Sequence, residues 1–399
     1  MTALAIVLVT RPEAALRRVA GMSLLQRVVR TAATGGGEVL VTGDDPNVMS
    51  ALGAAVPARF EPLPQLMTTL AAHDGVASLW LAHHVYDRRA ARALHEHGAH
   101  HSAAGMAPAL LIARPTIAAA VVSAADPEAA LQRTVAAAPQ LAESGPSSID
   151  AATDPGASAA EEALWQSCRK PVDGYVSRHL NRYISLAISR RIVDTRVTPN
   201  QVSALCIVLG ILSGVLAAQG GYAYLLAGAT LFQLNSILDG VDGELARVRW
   251  AYSSVGELLD SAGDNIANFS FFGGVAVAAL HAGQHGLATA GLLGLSMWAL
   301  YLVFLYARLS GSGRGDVMQV RTSLDGMRSP LVHALLALGR KVLRRDSFVM
   351  VSFVAAVLGY APHLLLMILA GGGTVFAYAA LHFVGRWLRP APTLEVDSQ

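Results

Sequence analysis

Four aspartates lie close together between positions 239 and 264, and they are the residues in this sequence best suited to do chemistry. Their context is Asp239-x-x-Asp242-Gly243-x-x-Ala246-Arg247, then eight residues, then Gly256-x-x-x-Asp260-x-x-x-Asp264. The surrounding sequence is apolar enough to span a bilayer, where each carboxylate costs on the order of 2.5–3.5 kcal/mol. Four such groups in one apolar region need cations, so the pattern predicts a divalent metal site.

The spacing of the aspartates places them on two helices. Asp239 and Asp242 are three residues apart and share one face of a helix, and Asp260 and Asp264, four apart, do the same on the next helix. If the two helices are antiparallel, all four carboxylates meet at one depth. Hard oxygen ligands in this number suit Mg²⁺, Mn²⁺ or Ca²⁺, and the count indicates a pair of ions.

The other four residues of the pattern fit a ligand that carries phosphate. Gly243 and Gly256 remove side chains where a ligand or a neighbouring helix must approach closely, and Ala246 keeps the same face shallow. Arg247 offers a forked donor for phosphate oxygens. Metal ions, an arginine and bare backbone together predict a diphosphate-binding site.

The composition indicates a soluble part joined to a membrane part. The 399 residues are 53% hydrophobic and 15% charged, with a mean hydropathy of +0.44, and the apolar excess is uneven. A net charge of +2 does not indicate nucleic-acid binding. Cys168 and Cys206 are too far apart in sequence to suggest a disulfide framework, which suits a reducing compartment. The first residues lack the basic region of a signal peptide, so we expect the first part to stay in the cytoplasm.

The first third of the chain predicts an α/β domain with a mostly parallel sheet over residues 1–140. Short apolar runs that alternate with helix-compatible segments carry this prediction. The predicted strands are Ala5–Val9, Glu38–Thr42, Ala77–Leu81 and Ala109–Ile112. Residues 141–162 are small and polar, and they predict a linker.

The rest of the chain predicts an all-α, six-helix transmembrane domain. Residues 163–198 alternate basic and apolar side chains, which favours an interfacial amphipathic helix over a solvated charged one. Residues 199–388 hold the spans, and 389–399 form a tail. The six apolar segments are 201–219, 221–243, 254–280, 286–309, 347–361 and 363–386. Lys and Arg concentrate in alternate connections, which predicts that both termini and the aspartates lie on the cytoplasmic side.

Two capping patterns predict where helices of this domain begin. Thr198 precedes Pro199 at the start of the first span. Ser254-x-x-Glu257 has the spacing of a capping box and predicts that the third span begins near Val255.

The eight-residue pattern resembles the signature of the CDP-alcohol phosphatidyltransferase family and matches it without a departure. The resemblance covers about residues 165–386 and implies an integral membrane enzyme, often a homodimer, in the cell (inner) membrane of a bacterial or archaeal type of cell. It also implies that an acceptor hydroxyl attacks the β-phosphorus of a CDP-alcohol and expels CMP, with Mg²⁺ or Mn²⁺ as cofactor. The donor is either CDP-diacylglycerol or a CDP-polyol, which points to phospholipid or inositol-phosphate-type biosynthesis.

Site roles follow from the same resemblance, residue by residue. The implied metal ligands are Asp239, Asp242, Asp260 and Asp264. Asp264 is also the implied base that deprotonates the acceptor hydroxyl. The implied residues of the CDP site are Gly243, Ala246, Arg247 and Gly256.

The order of domains is similar to bifunctional proteins that join an inositol-phosphate cytidylyltransferase to a di-inositol-phosphate phosphate synthase. The segments Lys170–Gly174 and Arg178–Arg182 strengthen that likeness. The first domain departs from the cytidylyltransferase pattern, because Thr10-Arg11-Pro12-Glu13-Ala14 contains no glycine and His83 stands where a metal-binding acid is expected. We therefore expect a nucleotidyltransferase-like fold without catalysis, which either binds a nucleotide or supports dimerisation.

Some features leave alternatives open. Intramembrane carboxylates also mark ion paths, so a divalent-cation transporter is the alternative function. A non-catalytic scaffold is a third reading, mainly for the first domain. The histidine-rich run at positions 95–101 fits a solvated surface better than a metal site. The basic stretch 314–345 fits either membrane topology or an acceptor pocket.

Overall fold

The computed structural model describes residues 3–34, 37–43, 45–52, 58–87, 101–103, 110–137, 140–141, 148–170, 173–312 and 344–387. The chain forms two compact units. The first comprises residues 1–169 with Arg190–Arg196 and Glu244–Ala251, and the second comprises Lys170–Ser189, Val197–Gly243 and the residues from Tyr252 onward. The predicted combination of an α/β part and a helical part is confirmed.

A mostly parallel sheet forms the centre of the first unit. The described strands of this unit are β1 (Ala3–Leu8), β2 (Arg18–Val19), β3 (Met22–Ser23), β4 (Glu38–Thr42), β5 (Arg59–Phe60), β6 (Val76–Leu81), β7 (His84–Tyr86), β8 (His101–Ala103), β9 (Leu110–Ala113), β10 (Gln140–Leu141) and β11 (Ser148–Asp150). The main sheet has the order β10-β8-β9-β6-β1-β4-β5. β1 pairs in parallel with β4 and β6, whereas β9 is antiparallel to β6. The four predicted strands correspond to β1, β4, β6 and β9.

Helices cover this sheet, and two small antiparallel pairs lie beside it. The helices are α1 (Pro12–Leu16), α2 (Leu24–Ala33), α3 (Pro46–Leu52), α4 (Leu63–Ala71), α5 (Pro115–Val122), α6 (Pro127–Ala137) and α7 (Asp154–Ser167). β2 pairs with β3, and β7 pairs with β11. The apolar side chains of β1 and β4 are fully buried in the core of this unit, as strands with both faces covered require.

Residues 141–162 are not a linker throughout, contrary to the prediction. Within them lie β11 and most of α7, which belong to the first unit. Thr153 caps α7, since its side chain accepts a hydrogen bond from the backbone N–H of Gly156. The small residues that indicated a linker are largely alanines, which have the highest helix propensity, so low side-chain volume was a misleading signal.

The segment predicted as one interfacial helix over 163–198 contains separate helical pieces. α7 ends at Ser167, a π-helical turn covers Ser177–Asn181, and α8 covers Arg182–Ile192. Pro171 lies in the interval, and proline removes a backbone donor and disfavours a continuous helix. The chain therefore contains a shorter helix than predicted just before the first apolar helix.

The second unit is helical, and its long helices fall where the apolar segments predicted them. They are α9 (Pro199–Ala218), α10 (Gly221–Val248), α11 (Ser254–His281), α12 (His285–Ser312), α13 (Arg345–Val357) and α14 (Leu364–Trp387), with a 3₁₀ turn over Ala361–His363. Thr198 and Gln201 form a capping box at the start of α9, which confirms the predicted helix start. At α11 the cap is Ser253, one residue before the predicted Ser254.

Only two of these helices, among the described residues, are long and apolar enough by composition to cross a membrane. They are α9 and the part of α12 up to Leu305. Polar side chains such as Gln233, Asn235 and Asn268 interrupt the apolar sequence of α10 and α11. The structure therefore supports a helical second part, and the finer prediction of six spans stays a prediction.

Small residues allow helices of the second unit to pack closely. α9 packs against α11 where Gly214 meets Gly274, and α12 packs against α14 where Gly294 meets Gly372. At each contact, an added Cβ would overlap the backbone oxygen of the opposite glycine. Close approach at small residues is the usual way in which membrane helices associate. The first of these contacts holds α11, which carries Asp260 and Asp264, against α9.

Candidate active site

Three of the four motif aspartates converge from two helices. Asp239 lies on α10, and Asp260 and Asp264 lie on α11. Each offers one carboxylate oxygen, and the three oxygens lie within 4.8 Å of one another. The two-helix arrangement that the spacing predicted therefore exists for these three residues.

Asp242 lies in the same recess but is oriented toward a neighbouring helix. The Ser203 hydroxyl on α9 donates to its Oδ2 at 2.5 Å, and the backbone N–H of Gly243 donates to its Oδ1 at 2.5 Å. The carboxylate is 5% exposed. The residues that line the recess are Ser203, Cys206, Asn235, Asp239, Asp242, Leu259, Asp260, Gly263 and Asp264. Asp242 can bind a metal ion only through the oxygen lone pairs that these two hydrogen bonds do not use.

Arg345 is the residue at this site that sequence reasoning missed. Its guanidinium lies 3.0 Å from Asp239 Oδ2 and 2.5 Å from Asp264 Oδ1. Its Nη2 also donates to Asn235 Oδ1 at 2.6 Å, and Asn235 Nδ2 donates to the Cys206 carbonyl at 2.5 Å. The sequence offered no signal for this, because Arg345 lies in a basic stretch that membrane topology explains equally well. Asn235 could have been found, since it precedes Asp239 by one helical turn.

Gly256 lies at the start of α11, where the helix approaches α9. Its backbone N–H donates to the capping Ser253 hydroxyl at 2.9 Å. A Cβ at this position would lie 3.0 Å from Asn200 Oδ1, so the close approach predicted for this glycine is to a neighbouring helix. The predicted role of Gly256 in a CDP site stays a prediction.

Gly243, Ala246 and Arg247 follow the aspartates along α10. With Asp239 as the first residue, Gly243 and Ala246 occupy the fourth and seventh following positions and share its helix face. Arg247 lies in the last turn of α10. All three are partly buried. Their placement follows from the helical repeat, and their predicted role in binding CDP stays a prediction.

An ion pair packs next to the aspartate helix. Arg182 donates to both carboxylate oxygens of Asp173, at 2.9 and 3.1 Å. Burial alone would raise the pKa of Asp173, but hydrogen bonds from Arg182 and from the Lys170 backbone hold that pKa below its ordinary value. The glycine at position 240 leaves room for this ion pair, because a Cβ there would lie 3.2 Å from the Nη1 atom of Arg182. The segment that resembled the bifunctional proteins therefore contacts α10 beside Asp239.

The donor set fits divalent metal ions that prefer oxygen. Three carboxylate oxygens from two helices converge, and a fourth carboxylate lies in the same recess. Carboxylate oxygens are the ligands that Mg²⁺ and Mn²⁺ prefer, and these ions can bind without an imidazole or thiolate ligand. The recess is thus a carboxylate cluster suited to hard cations.

Comparison with known proteins gives a family match for the region that contains the aspartates. Residues 196–360 match the profile of the CDP-alcohol phosphatidyltransferase family. The matched range runs from just before α9 through α13, and it contains every residue of the aspartate motif as well as Arg345. The family resemblance that the eight-residue pattern indicated is confirmed for this part of the chain.

The curated proteins that this chain resembles include several with a two-part name. A Thermococcus kodakarensis protein named bifunctional IPC transferase and DIPP synthase is 44% identical over 109 residues, which is 27% of this chain and 24% of that protein. A Rubrobacter xylanophilus protein of the same name is 36% identical over 175 residues, which is 42% of this chain and 39% of that protein. The matches thus span well under two thirds of these relatives' own length.

A solved structure matches about half of the chain. It is the crystal structure of Mycobacterium tuberculosis phosphatidylinositol phosphate synthase with CDP-DAG bound. The two proteins share 21% sequence identity, and the TM-score is 0.39. The match covers 52% of this chain and 96% of the other.

Proposed function

We propose that this protein is an integral membrane CDP-alcohol phosphatidyltransferase that moves a phospho-alcohol group from a CDP-alcohol to an acceptor hydroxyl and releases CMP. One observation carries the proposal. Carboxylates of Asp239, Asp260 and Asp264 converge from two helices inside the range that matches the family. The bifunctional name of the relatives supports the same class of reaction.

The proposed metal ligands are the four motif aspartates. Asp239, Asp260 and Asp264 would hold two ions of Mg²⁺ or Mn²⁺ through their converging oxygens. Asp242, whose two oxygens already accept hydrogen bonds, would contribute a remaining lone pair. When bound, the ions would neutralise the diphosphate and stabilise the departing CMP.

Asp264 is the proposed base. The acceptor oxygen forms a bond to the β-phosphorus, the bond from that phosphorus to the CMP oxygen breaks, and the hydroxyl proton passes to the Asp264 carboxylate. Arg345 lies 2.5 Å from Asp264 and 3.0 Å from Asp239, so we propose that it orients both carboxylates. Gly243, Ala246, Arg247 and Gly256 would line the CDP-binding surface.

The membrane arrangement is part of the same proposal. We propose six spans in the cell membrane, with the active site and both termini on the cytoplasmic side and a homodimer as the assembly. Large apolar side chains are exposed along the helices of the second unit, as contact with lipid requires. They include Leu205, Val208 and Val215 on α9, Leu292, Leu300 and Val303 on α12, and Val351 and Val354 on α13.

α8 supports an interfacial position in the same way. Its buried positions include Ser185 and Ser189, whereas Tyr183 is 58% exposed and Ile184 is 40% exposed. The exposed positions also include Arg190 and Arg191, and a helix that exposes both large apolar and basic side chains fits a lipid–water interface better than water.

The proposal can be tested with purified full-length protein in detergent. We would add Mg²⁺ or Mn²⁺ and a panel of CDP-alcohols, including CDP-diacylglycerol and CDP-polyols, with a panel of hydroxyl acceptors, and measure released CMP. Metal-dependent CMP release with one pair, abolished by chelation and by Asp239→Asn, is the expected result. No CMP release from any pair would contradict the proposal.

A divalent-cation transporter is the competing function. The Arg345 guanidinium contacts two of the three converging carboxylates, and a fixed positive charge opposes passage of a cation along them. Reconstitution into liposomes that contain a cation-sensitive dye separates the two functions. Cation uptake without CMP formation would favour transport.

A further inference from the structure

A second cluster of metal-ligating side chains lies in the first unit, apart from the aspartate site. His83 follows the end of β6, His84 begins β7, and Asp150 ends β11. One potential ligand atom from each of the three lies within 4.8 Å of the others. The proposed transferase reaction uses none of these residues, and His83 stands where the nucleotidyltransferase pattern expects a metal-binding acid.

Strand pairing brings His84 and Asp150 together. β7 and β11 are antiparallel, and the register pairs His84 directly with Asp150. Residues opposite one another in such a pair place their Cβ atoms about 4.5–5.5 Å apart on the same face of the sheet. The backbone N–H of Ala151 donates to the His83 carbonyl at 3.0 Å, which holds the histidine turn against the same strand. Backbone hydrogen bonding therefore places Asp150 next to the two histidines.

Both histidine rings are buried, and three of their four nitrogens have no hydrogen-bond partner among the described residues. His83 is 0% exposed and His84 is 1% exposed. Both ring nitrogens of His83 and the Nδ1 of His84 lack a partner in the described part of the chain. A buried polar group without a partner costs about 1–3 kcal/mol, so a structure that keeps three such atoms calls for a ligand.

The distances between these groups fit ligands of one ion better than hydrogen bonds. His83 Nε2 lies 3.7 Å from Glu128 Oε1 and 3.9 Å from Asp150 Oδ1. Both distances are too long for a hydrogen bond. Two ligand atoms bound tetrahedrally to one ion, at about 2.0–2.2 Å each, are roughly 3.3–3.6 Å apart. A small closing movement would bring these atoms onto a common ion.

The chemical types of the three side chains also suit a transition metal. Neutral imidazole is the form that coordinates metals, and two imidazoles with a carboxylate favour Zn²⁺-like transition metals over Mg²⁺.

We propose that His83, His84 and Asp150 form a binding site for a divalent transition-metal ion of the Zn²⁺ class. Glu128, whose Oε1 lies 3.7 Å from His83 Nε2, would be the fourth ligand, and its carboxylate accepts hydrogen bonds from Thr10 at 2.9 Å and from Arg11 at 2.7 Å. A carboxylate has enough lone pairs for these donors and an ion together. The site borders a cavity of about 700 Å³ that Thr10, Arg11 and Glu128 help to line.

Cobalt binding to full-length protein in detergent tests this site. We would remove metals with a chelator, titrate with Co²⁺, and record its visible absorption, which is strong for four-coordinate nitrogen and oxygen ligation and weak for an octahedral oxygen site. All proteins would also carry Asp260→Asn, so that the aspartate cluster does not contribute. We expect one strongly absorbing Co²⁺ per chain, displaced by Zn²⁺, and its loss in His84→Gln and in Asp150→Asn.

Matched controls make the outcome decisive. The first control, His281→Gln, changes an exposed histidine at the end of α11. The second combines His95→Gln, His97→Gln and His100→Gln, and so replaces three histidines of the histidine-rich run. Both variants should keep the Co²⁺ absorption. Asp150 is 38% exposed, so Asp150→Asn carries the test if His84→Gln fails to fold. The proposal is wrong if both His84→Gln and Asp150→Asn keep the bound ion, or if the combined variant alone loses it.

Discussion

At the scale of single residues, charge compensation is the central feature of the aspartate site. Asp239 and Asp264 both contact the guanidinium of Arg345, which also donates a hydrogen bond to Asn235. Carboxylates brought this close repel one another unless cations lie between them. Arg345 supplies one fixed positive charge, and the proposed ions would supply the rest.

Replacing Asp264 by asparagine should separate binding from turnover. Asp264→Asn keeps the size of the side chain but removes the proposed base, and general-base catalysis contributes about 10²–10⁴ in rate. We expect CDP-alcohol binding to persist while CMP release falls by at least about 100-fold. Glu257→Gln, an exposed carboxylate in the first turn of the same helix, is the matched control and should keep activity. Turnover like that of the unmodified protein in Asp264→Asn would remove the assigned base.

Replacing Arg345 should make stability depend more strongly on metal. Arg345→Gln leaves the aspartates of chelator-treated protein without their fixed cation, and breaking a largely buried ion pair costs on the order of 3 kcal/mol. Ions that bind the folded state offset such a loss by mass action. Thermal unfolding in detergent should therefore show a larger rise in Tm with Mg²⁺ or Mn²⁺ for Arg345→Gln than for the unmodified protein.

The adjacent Arg344 provides the control for that experiment. Arg344 is exposed, so Arg344→Gln should respond to metal as the unmodified protein does. An equal metal-induced change in Tm for Arg345→Gln and Arg344→Gln would argue against charge compensation at the cluster.

At the scale of secondary-structure elements, close helix packing positions the site. α9 supplies Ser203 to Asp242, and it packs against α11, which carries Asp260 and Asp264. Along that contact, Gly210 lies against Ala267, and Gly214 lies against Gly274. The separation of the helices therefore depends on residues that lack bulk, because an atom added at Gly210 or Gly214 would push α9 away from α11, which carries Asp260 and Asp264.

Two neighbouring glycines of α11 test this dependence. In Gly274→Ala the new Cβ overlaps the backbone oxygen of Gly214, whereas in Gly273→Ala it meets nothing within 4 Å. Overpacking costs about 1–3 kcal/mol, while removing a glycine from a helix interior favours the helix by about 0.5–1 kcal/mol. We expect Gly274→Ala to lower the thermal stability in detergent and Gly273→Ala to leave it unchanged or slightly higher. The same loss for both variants would show that the contact is not specific.

At the scale of the whole molecule, the chain joins two units with separate chemistry. The first unit has a mostly parallel sheet with a cavity lined by Leu8, Thr10 and Gly43, where strands β1 and β4 end. The second unit has the carboxylate cluster. Arg11 pairs with Glu128, and His83 is fully buried where the nucleotidyltransferase pattern expects an acid. These features favour a first unit without cytidylyltransferase activity.

The absence of that activity can be measured directly. With CTP, an inositol phosphate and Mg²⁺, the full-length protein should release no pyrophosphate, because no acid stands at position 83 and no glycine-rich loop follows β1. CMP release should begin only when a CDP-alcohol and an acceptor are added to the same preparation. Pyrophosphate formation that persists in Asp239→Asn would assign catalysis to the first unit and contradict this prediction.

The sequence alone determined the features that depend on local spacing. The helical repeat placed Asp239 and Asp242 on one helix and Asp260 and Asp264 on the next, and apolar runs located four strands of the sheet. Such features depend on residues a few positions apart, whose relative placement the 3.6-residue and 2-residue repeats dictate. The cap at Thr198 was predictable for the same reason.

Only the tertiary structure decided which distant residues meet. Arg345 is far along the chain from the aspartates that it contacts, and its sequence context indicated nothing beyond a basic loop. Asp150 came from a segment predicted as a linker, yet strand pairing sets it opposite His84. These contacts depend on how separate elements pack. Many sequences with the same local pattern could pack differently, so the contacts cannot be derived from periodicity.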